Sequence, residues 1–113
     1  MNKVLKTLKY MRDNWSKDQW IKNVLAKNKQ GSTTHPNSKN AVSHCLLGKL
    51  YSVETNQYSR DHIIDVFNKV IRKHMKHATC IASFNDFPET TWADIQNVIK
   101  EAITYIKTEY KES

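Results

Sequence analysis

The chain has 113 residues, with 18 Lys and Arg against 11 Asp and Glu and a formal charge of +7. That length suits one domain, residues 1–113, and excludes a multi-domain enzyme or a complete doubly wound nucleotide fold. Two Gly and two Pro disfavour sandwiches and small barrels, which need turn residues every ~8–12 positions, and no apolar run approaches the ~18 residues of a membrane span or forms a signal peptide.

Residues 3–14 place Val4, Leu5, Leu8, Met11 and Trp15 at helical spacing. The opposite face carries Lys3, Lys6, Lys9 and Arg12, a stripe that is either a solvated face or a docking surface for an anion. Residues 16–31 support two readings. Ser16 followed by Gln19 makes a capping box for a second helix, whereas Asn28-Lys29-Gln30-Gly31 is turn chemistry for a short hairpin-like excursion. Residues 31–39 form a loop, with Pro36 restricting His35 to an extended conformation.

A helix is expected over residues 39–53, capped by Asn37 or Ser38, with Ala41, Val42, Cys45, Leu46 and Leu50 on its apolar face. Gly48 inside it costs ~1 kcal/mol relative to alanine and implies a close approach by something bulky. Ser59 is expected to cap a helix over residues 60–77, buried through Ile63, Ile64, Val66, Phe67, Val70, Ile71 and Met75. Arg72, Lys73, His74, Lys76 and His77 in its last turns complement the helix dipole or form a basic patch. Residues 79–84 read as one or two helical turns, broken by Asn85-Asp86-Phe87-Pro88. Thr91 with Asp94 is a capping box opening a final helix to about residue 109. The expected architecture is all-α or mainly α, a compact bundle of four to five helices with one short extended or hairpin-like segment near residues 20–31. Its core joins Leu8, Met11, Leu46, Leu50, Phe67, Val70, Ile95, Ile99 and Ile103.

Charge is uneven along the chain. Residues 1–31 carry eight Lys and Arg against two Asp, whereas residues 81–113 carry three Lys against six Asp and Glu. Packing of the first helix beside the last would neutralise part of this asymmetry; otherwise a basic face meets some anion.

Chemistry-bearing constellations are sparse. His74-x-x-His77-x-x-Cys80 has zinc-like spacing, with His44 and Cys45 as completing ligands, but Arg72, Lys73 and Lys76 repel a cation and no CxxC or HExxH occurs. No metal and no cofactor is expected. Adjacent His44 and Cys45 point in different directions on a helix, and Cys45 reads as a small core residue. No paired-carboxylate motif, phosphate-cradling glycine loop or GxSxG elbow occurs, so the reading leans away from an enzyme. Cys45 and Cys80 are too few for a disulfide framework and point to a reducing cytoplasm. Asn85 and Asp86 either fix a turn or line a pocket beside the helix start at Thr91, whose free N–H groups suit an anion. Trp20, Trp92, Phe84 and Phe87 are core or stacking faces.

Trp20, Leu25-Ala26-Lys27, Gly31, Ala41-Val42-Ser43-His44-Cys45-Leu46-Leu47-Gly48, Ile81-Ala82-Ser83-Phe84-Asn85-Asp86-x-Pro88 and Thr91 together resemble a small family of unknown function from phage and bacterial genomes, notably actinobacterial ones. That family's pattern is a helix ending near a Trp, an extended segment with a D-x-x-G turn, a helix bearing W-C-x-x-G-A, and W-N-D-x-P-x-x-T before a final helix. This chain has His44 and Lys49 where the pattern has Trp and Ala, Phe84 for Trp and Asn28 for Asp. The resemblance spans about residues 4–105. It implies an α-rich fold, a phage or bacterial origin and the extended segment after Trp20, and supplies no mechanism.

Two functions compete. The first is a small phage- or bacterium-encoded binding protein of the host cytoplasm, a homo-oligomer in one version. It would sequester an anionic nucleotide-like signalling molecule against bacterial defence, with Trp20, His44, Cys45, Gly48, Asn85, Asp86 and Thr91 around the ligand. The second is a nucleic-acid- or protein-binding accessory or inhibitor factor. It would use Lys3, Lys6, Lys9, Arg12, Arg72, Lys73 and Lys76 as its basic surface.

Overall fold

The structure, a computed structural model, describes residues 2–74 and 80–109. In chain order it contains helix α1 (Asn2–Asp13), a 3-10 turn (Lys17–Gln19), strands β1 (Ala26–Asn28) and β2 (Ala41–His44), and helices α2 (Leu46–Val53), α3 (Gln57–His74), α4 (Ile81–Asp86) and α5 (Trp92–Glu109). The fold is mainly α, as expected, with one two-stranded antiparallel ribbon among the described residues.

The three long helices form because apolar residues recur at helical spacing on one face of each. Val4, Leu8 and Met11 of α1, Val66, Phe67, Val70 and Ile71 of α3, and Ile95, Ile99, Ile103 and Ile106 of α5 enter one core with Leu46 and Leu50 of α2 and Phe84 of α4. All nine residues expected at the centre are buried, each burial being worth ~1.5–3 kcal/mol. α1 lies against α5, α2 and α3, and α3 packs along α5. No helix among the described residues is long and apolar enough to cross a membrane.

Polar groups fix the helix ends. Glu54, 2% exposed, follows α2 and accepts from Thr7 Oγ1 of α1 at 2.7 Å and from Asn56 N at 3.2 Å. Lys3 Nζ stands 3.5 Å from its second oxygen. This carboxylate therefore pins α1 to the α2–α3 junction. Thr91 and Asp94 form the expected capping box, Thr91 N donating to Asp94 Oδ2 and Asp94 N to Thr91 Oγ1. Ser16 and Gln19 also form a capping box, but it closes the 3-10 turn and no second long helix follows.

Four boundaries differ from expectation. The helix expected from residue 39 begins at Leu46, and Ala41–His44 is β2, paired with β1 in the register Ala26 to His44 and Lys27 to Ser43. Cys45 caps α2, its Sγ accepting from Gly48 N at 3.3 Å. Val42, expected on the apolar face of that helix, is 50% exposed. The 41–44 segment has local helical spacing, but cross-strand hydrogen bonds from residues 20–28 satisfy its backbone instead. α3 starts at Gln57, with the Asn56 side chain accepting from Ser59 N and the Asn56 carbonyl from Arg60 N, so Asn56 replaces Ser59 as cap. Asn85 and Asp86 do not break the chain; they close α4. Beyond Trp20 the chain is extended only in part, with bends and a positive φ at Asn23 before β1. Met75, Lys76, His77 and Thr79 lie outside the described residues.

Gly48 meets the close approach its sequence position implied. A Cβ built there would stand 2.0 Å from the Leu25 carbonyl oxygen, which also accepts from Cys45 N at 3.1 Å. The backbone of the 20–25 segment is thus wedged onto the first turn of α2. Gly48→Ala should lower stability by ~1–3 kcal/mol through this overlap, despite alanine's ~1 kcal/mol helix preference. Denaturant unfolding of the two proteins side by side measures the sign.

Candidate functional site

Asn85 is the centre of the predicted site, and it is 1% exposed. Its Oδ1 accepts from Trp20 Nε1 at 2.8 Å and from Leu46 N at 3.0 Å. Its Nδ2 donates to the Ile21 carbonyl and to Asp86 Oδ1, both at 3.0 Å. Trp20 Nε1 and Leu46 N can only donate and the Ile21 carbonyl can only accept, so the amide has one orientation. All four of its hydrogen-bonding positions are filled. Asp86 Oδ1 also accepts from Asn23 N at 2.7 Å.

The two residues therefore join the end of α4, the start of α2 and the 20–25 segment. The sequence reading placed Asn85 and Asp86 beside Trp20 and the Cys45–Gly48 turn, and the structure brings them together there. It brings them together as hydrogen-bond partners of one another. Trp20 turns its ring to Trp92, with centroids 5.9 Å apart, while Trp92 meets Trp15 edge-on at 5.0 Å. Thr91 is exposed and its side chain is occupied by the α5 capping box.

What remains open is a shallow hollow of about 190 Å³ lined by Asn23, Val24, Leu25, Cys45, Leu47, Ala82 and Asp86. Trp20, His44, Gly48, Asn85 and Thr91 do not line it, nor does any residue of α1. Burial pushes the Cys45 thiol pKa up, which keeps it protonated and weakly nucleophilic. His44 points elsewhere: its ring Nε2 hydrogen-bonds the Pro36 carbonyl at 3.0 Å, which requires a proton on Nε2. Burial, together with the charge of Lys49, holds the His44 pKa below its ordinary value of 6.5 against the opposing pull of the Pro36 carbonyl.

Lys22 is a participant the sequence reading missed. Its Nζ donates to the carbonyls of Phe87 at 2.7 Å, Thr90 at 3.0 Å and Pro88 at 3.3 Å and lies 5.4 Å from the Trp20 ring centroid. It satisfies acceptors left by the α4–α5 turn, a role that no local spacing around Lys22 announces. The predicted basic residues are dispersed. Lys3 stands against Glu54, and Arg12 donates to Asp13 at 2.8 Å. Lys6 is exposed and Lys9 half-buried on α1, while Arg72 and Lys73 are exposed at the end of α3. Lys76 lies outside the described residues. Although α1 packs on α5, no ion pair joins them among the described residues. His74 Nε2 instead lies 2.6 Å from Glu101 Oε2, bridging α3 to α5.

Asn85→Ala would leave the Leu46 N–H, the Trp20 Nε1–H and the Ile21 carbonyl without partners. It should cost ~3 kcal/mol or more, whereas Asp86→Ala, at a half-buried position, should cost under ~1.5 kcal/mol. Equal losses in urea unfolding would refute the clamp. For His44, a depressed folded pKa means that its share of stability is complete above pH 6.5. That share is lost progressively as pH falls below this value and through the folded pKa. The thermal midpoint should fall from pH 7 to pH 5, and His44→Gln should flatten that slope.

All the segments that Asn85 joins fall within residues 1–105, the span matched by the family of unknown function DUF6197. No curated protein and no solved structure matches the chain. With the match covering nearly its whole length, the chain belongs to the family of unknown function DUF6197.

Proposed function

We propose that the protein is a nucleic-acid-binding accessory factor that works through its basic surface. One observation carries this: of the described lysines and arginines, only Lys3 and Arg12 stand in ion pairs with carboxylates. Most of the positive charge on the described residues of this +7 chain thus meets no carboxylate. A surface of that kind gains free energy from a polyanion by releasing the condensed counterions of the phosphate chain.

A nucleotide-like signalling ligand, sequestered in an anti-defence role, has less to support it. The polar atoms of Asn85 are spent within the protein. The hollow at the expected site, about 190 Å³, is below the ~300–1,000 Å³ usual for ligand sites, and the carboxylate of Asp86 on its wall repels an anion.

Fluorescence anisotropy with labelled duplex DNA and duplex RNA tests the proposal. With three to four phosphate contacts, affinity should fall roughly 40- to 150-fold between ~50 and ~200 mM salt. Absence of binding to either duplex at low salt, together with a thermal shift on adding a nucleotide, would favour the small-ligand reading instead. Asp86→Ala should leave nucleic-acid binding unchanged.

A further inference from the structure

From Gln19 to Val53 the sequence contains no Asp or Glu, while Lys22, Lys27, Lys29, Lys39 and Lys49 fall inside that stretch. Lys22 is committed to the α4–α5 turn and Lys49 is half-buried on α2. The other three lie on the ribbon formed by β1, β2 and the chain between them. Lys29 and Lys39 are exposed and Lys27 is half-buried, and among the described residues none of the three meets a carboxylate.

The ribbon is held in shape from within. Asn28 Oδ1 accepts from Gln30 N and Ser32 N, both at 3.0 Å, and Gly31 supplies the positive φ of 84° that the turn needs. The returning chain bonds back to β1 through Asn28 N to Ser32 O and Thr34 N to Ala26 O. His35 Nδ1 accepts from Asn37 N, Ser38 Oγ from Asn40 N, and the His44 ring ties the Pro36 carbonyl to the base of β2. Between residues 27 and 43 only Pro36 is buried. The segment is therefore a preformed, solvent-facing, acid-free arm, and it did not figure in the basic surface expected from sequence.

We infer that this arm is the contact element for the phosphate backbone of duplex DNA, with Lys27, Lys29 and Lys39 facing phosphates. The inference rests on the nucleic-acid reading above and names where on the chain it acts. Two features favour a phosphate backbone and a third favours DNA. Positive charge without a local carboxylate neutralises phosphate without competition. An arm already ordered loses little further entropy on binding. A two-stranded ribbon fits the major groove of B-form DNA, whereas the major groove of A-form RNA is too deep and narrow for it.

The test compares wild-type protein with Lys27→Gln/Lys29→Gln/Lys39→Gln and with Lys6→Glu/Lys9→Glu on duplex DNA and duplex RNA of one sequence. Retention of the wild-type thermal midpoint serves as the folding check, and Lys29→Gln/Lys39→Gln replaces the triple variant if Lys27 proves necessary for folding. The arm variant should bind duplex DNA at least 10-fold more weakly. Its plot of log affinity against log salt should be shallower by ~2–3, in line with the lost phosphate contacts. An unchanged salt slope in the folded arm variant, with binding lost instead in the α1 variant, overturns the arm and leaves the nucleic-acid reading standing. Tighter binding to duplex RNA than to DNA overturns the choice of DNA. If the wild-type protein binds neither duplex, both proposals fall.

Discussion

The fold turns on one buried amide. Four segments that are remote in sequence must meet where the ribbon joins the helical body: Trp20–Ile21, the start of α2, the end of α4 and, through Trp20, the start of α5. Helix termini leave backbone N–H groups without intrahelical partners, and the Leu46 N–H at the start of α2 is one of these. Asn85 supplies its acceptor and uses the same oxygen for the Trp20 indole, while its NH2 group takes the Ile21 carbonyl. Aspartate in that place would lack the donor and carry a charge, and leucine would orphan every partner. A carboxamide is the one group of this size with two donors and two acceptors.

Other oddities of composition follow from the same junction. Because the 20–25 segment is drawn onto α2, its Leu25 carbonyl occupies the space a side chain at position 48 would need, so the helix carries a glycine near its start. Because the α4–α5 turn folds over that segment, its carbonyls point inward, and Lys22 rather than water meets them. Trp20 is then packed between a cation and Trp92, and Trp92 passes the contact to Trp15. The cluster ties the non-helical third of the molecule to α1 and α5.

The long helices were legible from the chain because α1, α3 and α5 each repeat their apolar residues over three or more turns, and the Thr91–Asp94 box marks one start unambiguously. The largest departure lay at residues 41–44. There a few apolar residues adjoin a real helix, and nothing local distinguishes a strand whose partner lies some fifteen residues earlier; β pairing is a non-local property. The placement of the candidate site was legible in part, since His44 and Thr91, expected with it, stand apart. Asn85, Asp86, Trp20 and the α2 start were expected together, since short polar side chains among aromatics next to helix termini suggest donors in search of a ligand. The structure instead pairs the donors with acceptors inside the protein, Asn85 Oδ1 and Asp86 Oδ1 among them. Lys22 was invisible because its three acceptors come from a turn more than sixty residues away.

Charge completes the picture by its distribution. In the helical body Lys3 pairs with Glu54 and Arg12 with Asp13, and the His74 ring meets the Glu101 carboxylate. The ribbon has no carboxylate of its own to do the same, and its turn is closed by the Asn28 amide side chain where aspartate, equally able to cap such a turn, would have cancelled part of the charge. A neutral turn-former beside Lys27 and Lys29 keeps the ribbon's field positive while leaving its geometry intact. The Asn85 clamp then fixes how that charged element is presented, since the strand-joining segments at both ends of the ribbon, Ile21 to Leu25 and His44 to Leu46, are the ones it grips. The clamp between the helical body and the ribbon thus converts a local charge excess into a surface of defined shape.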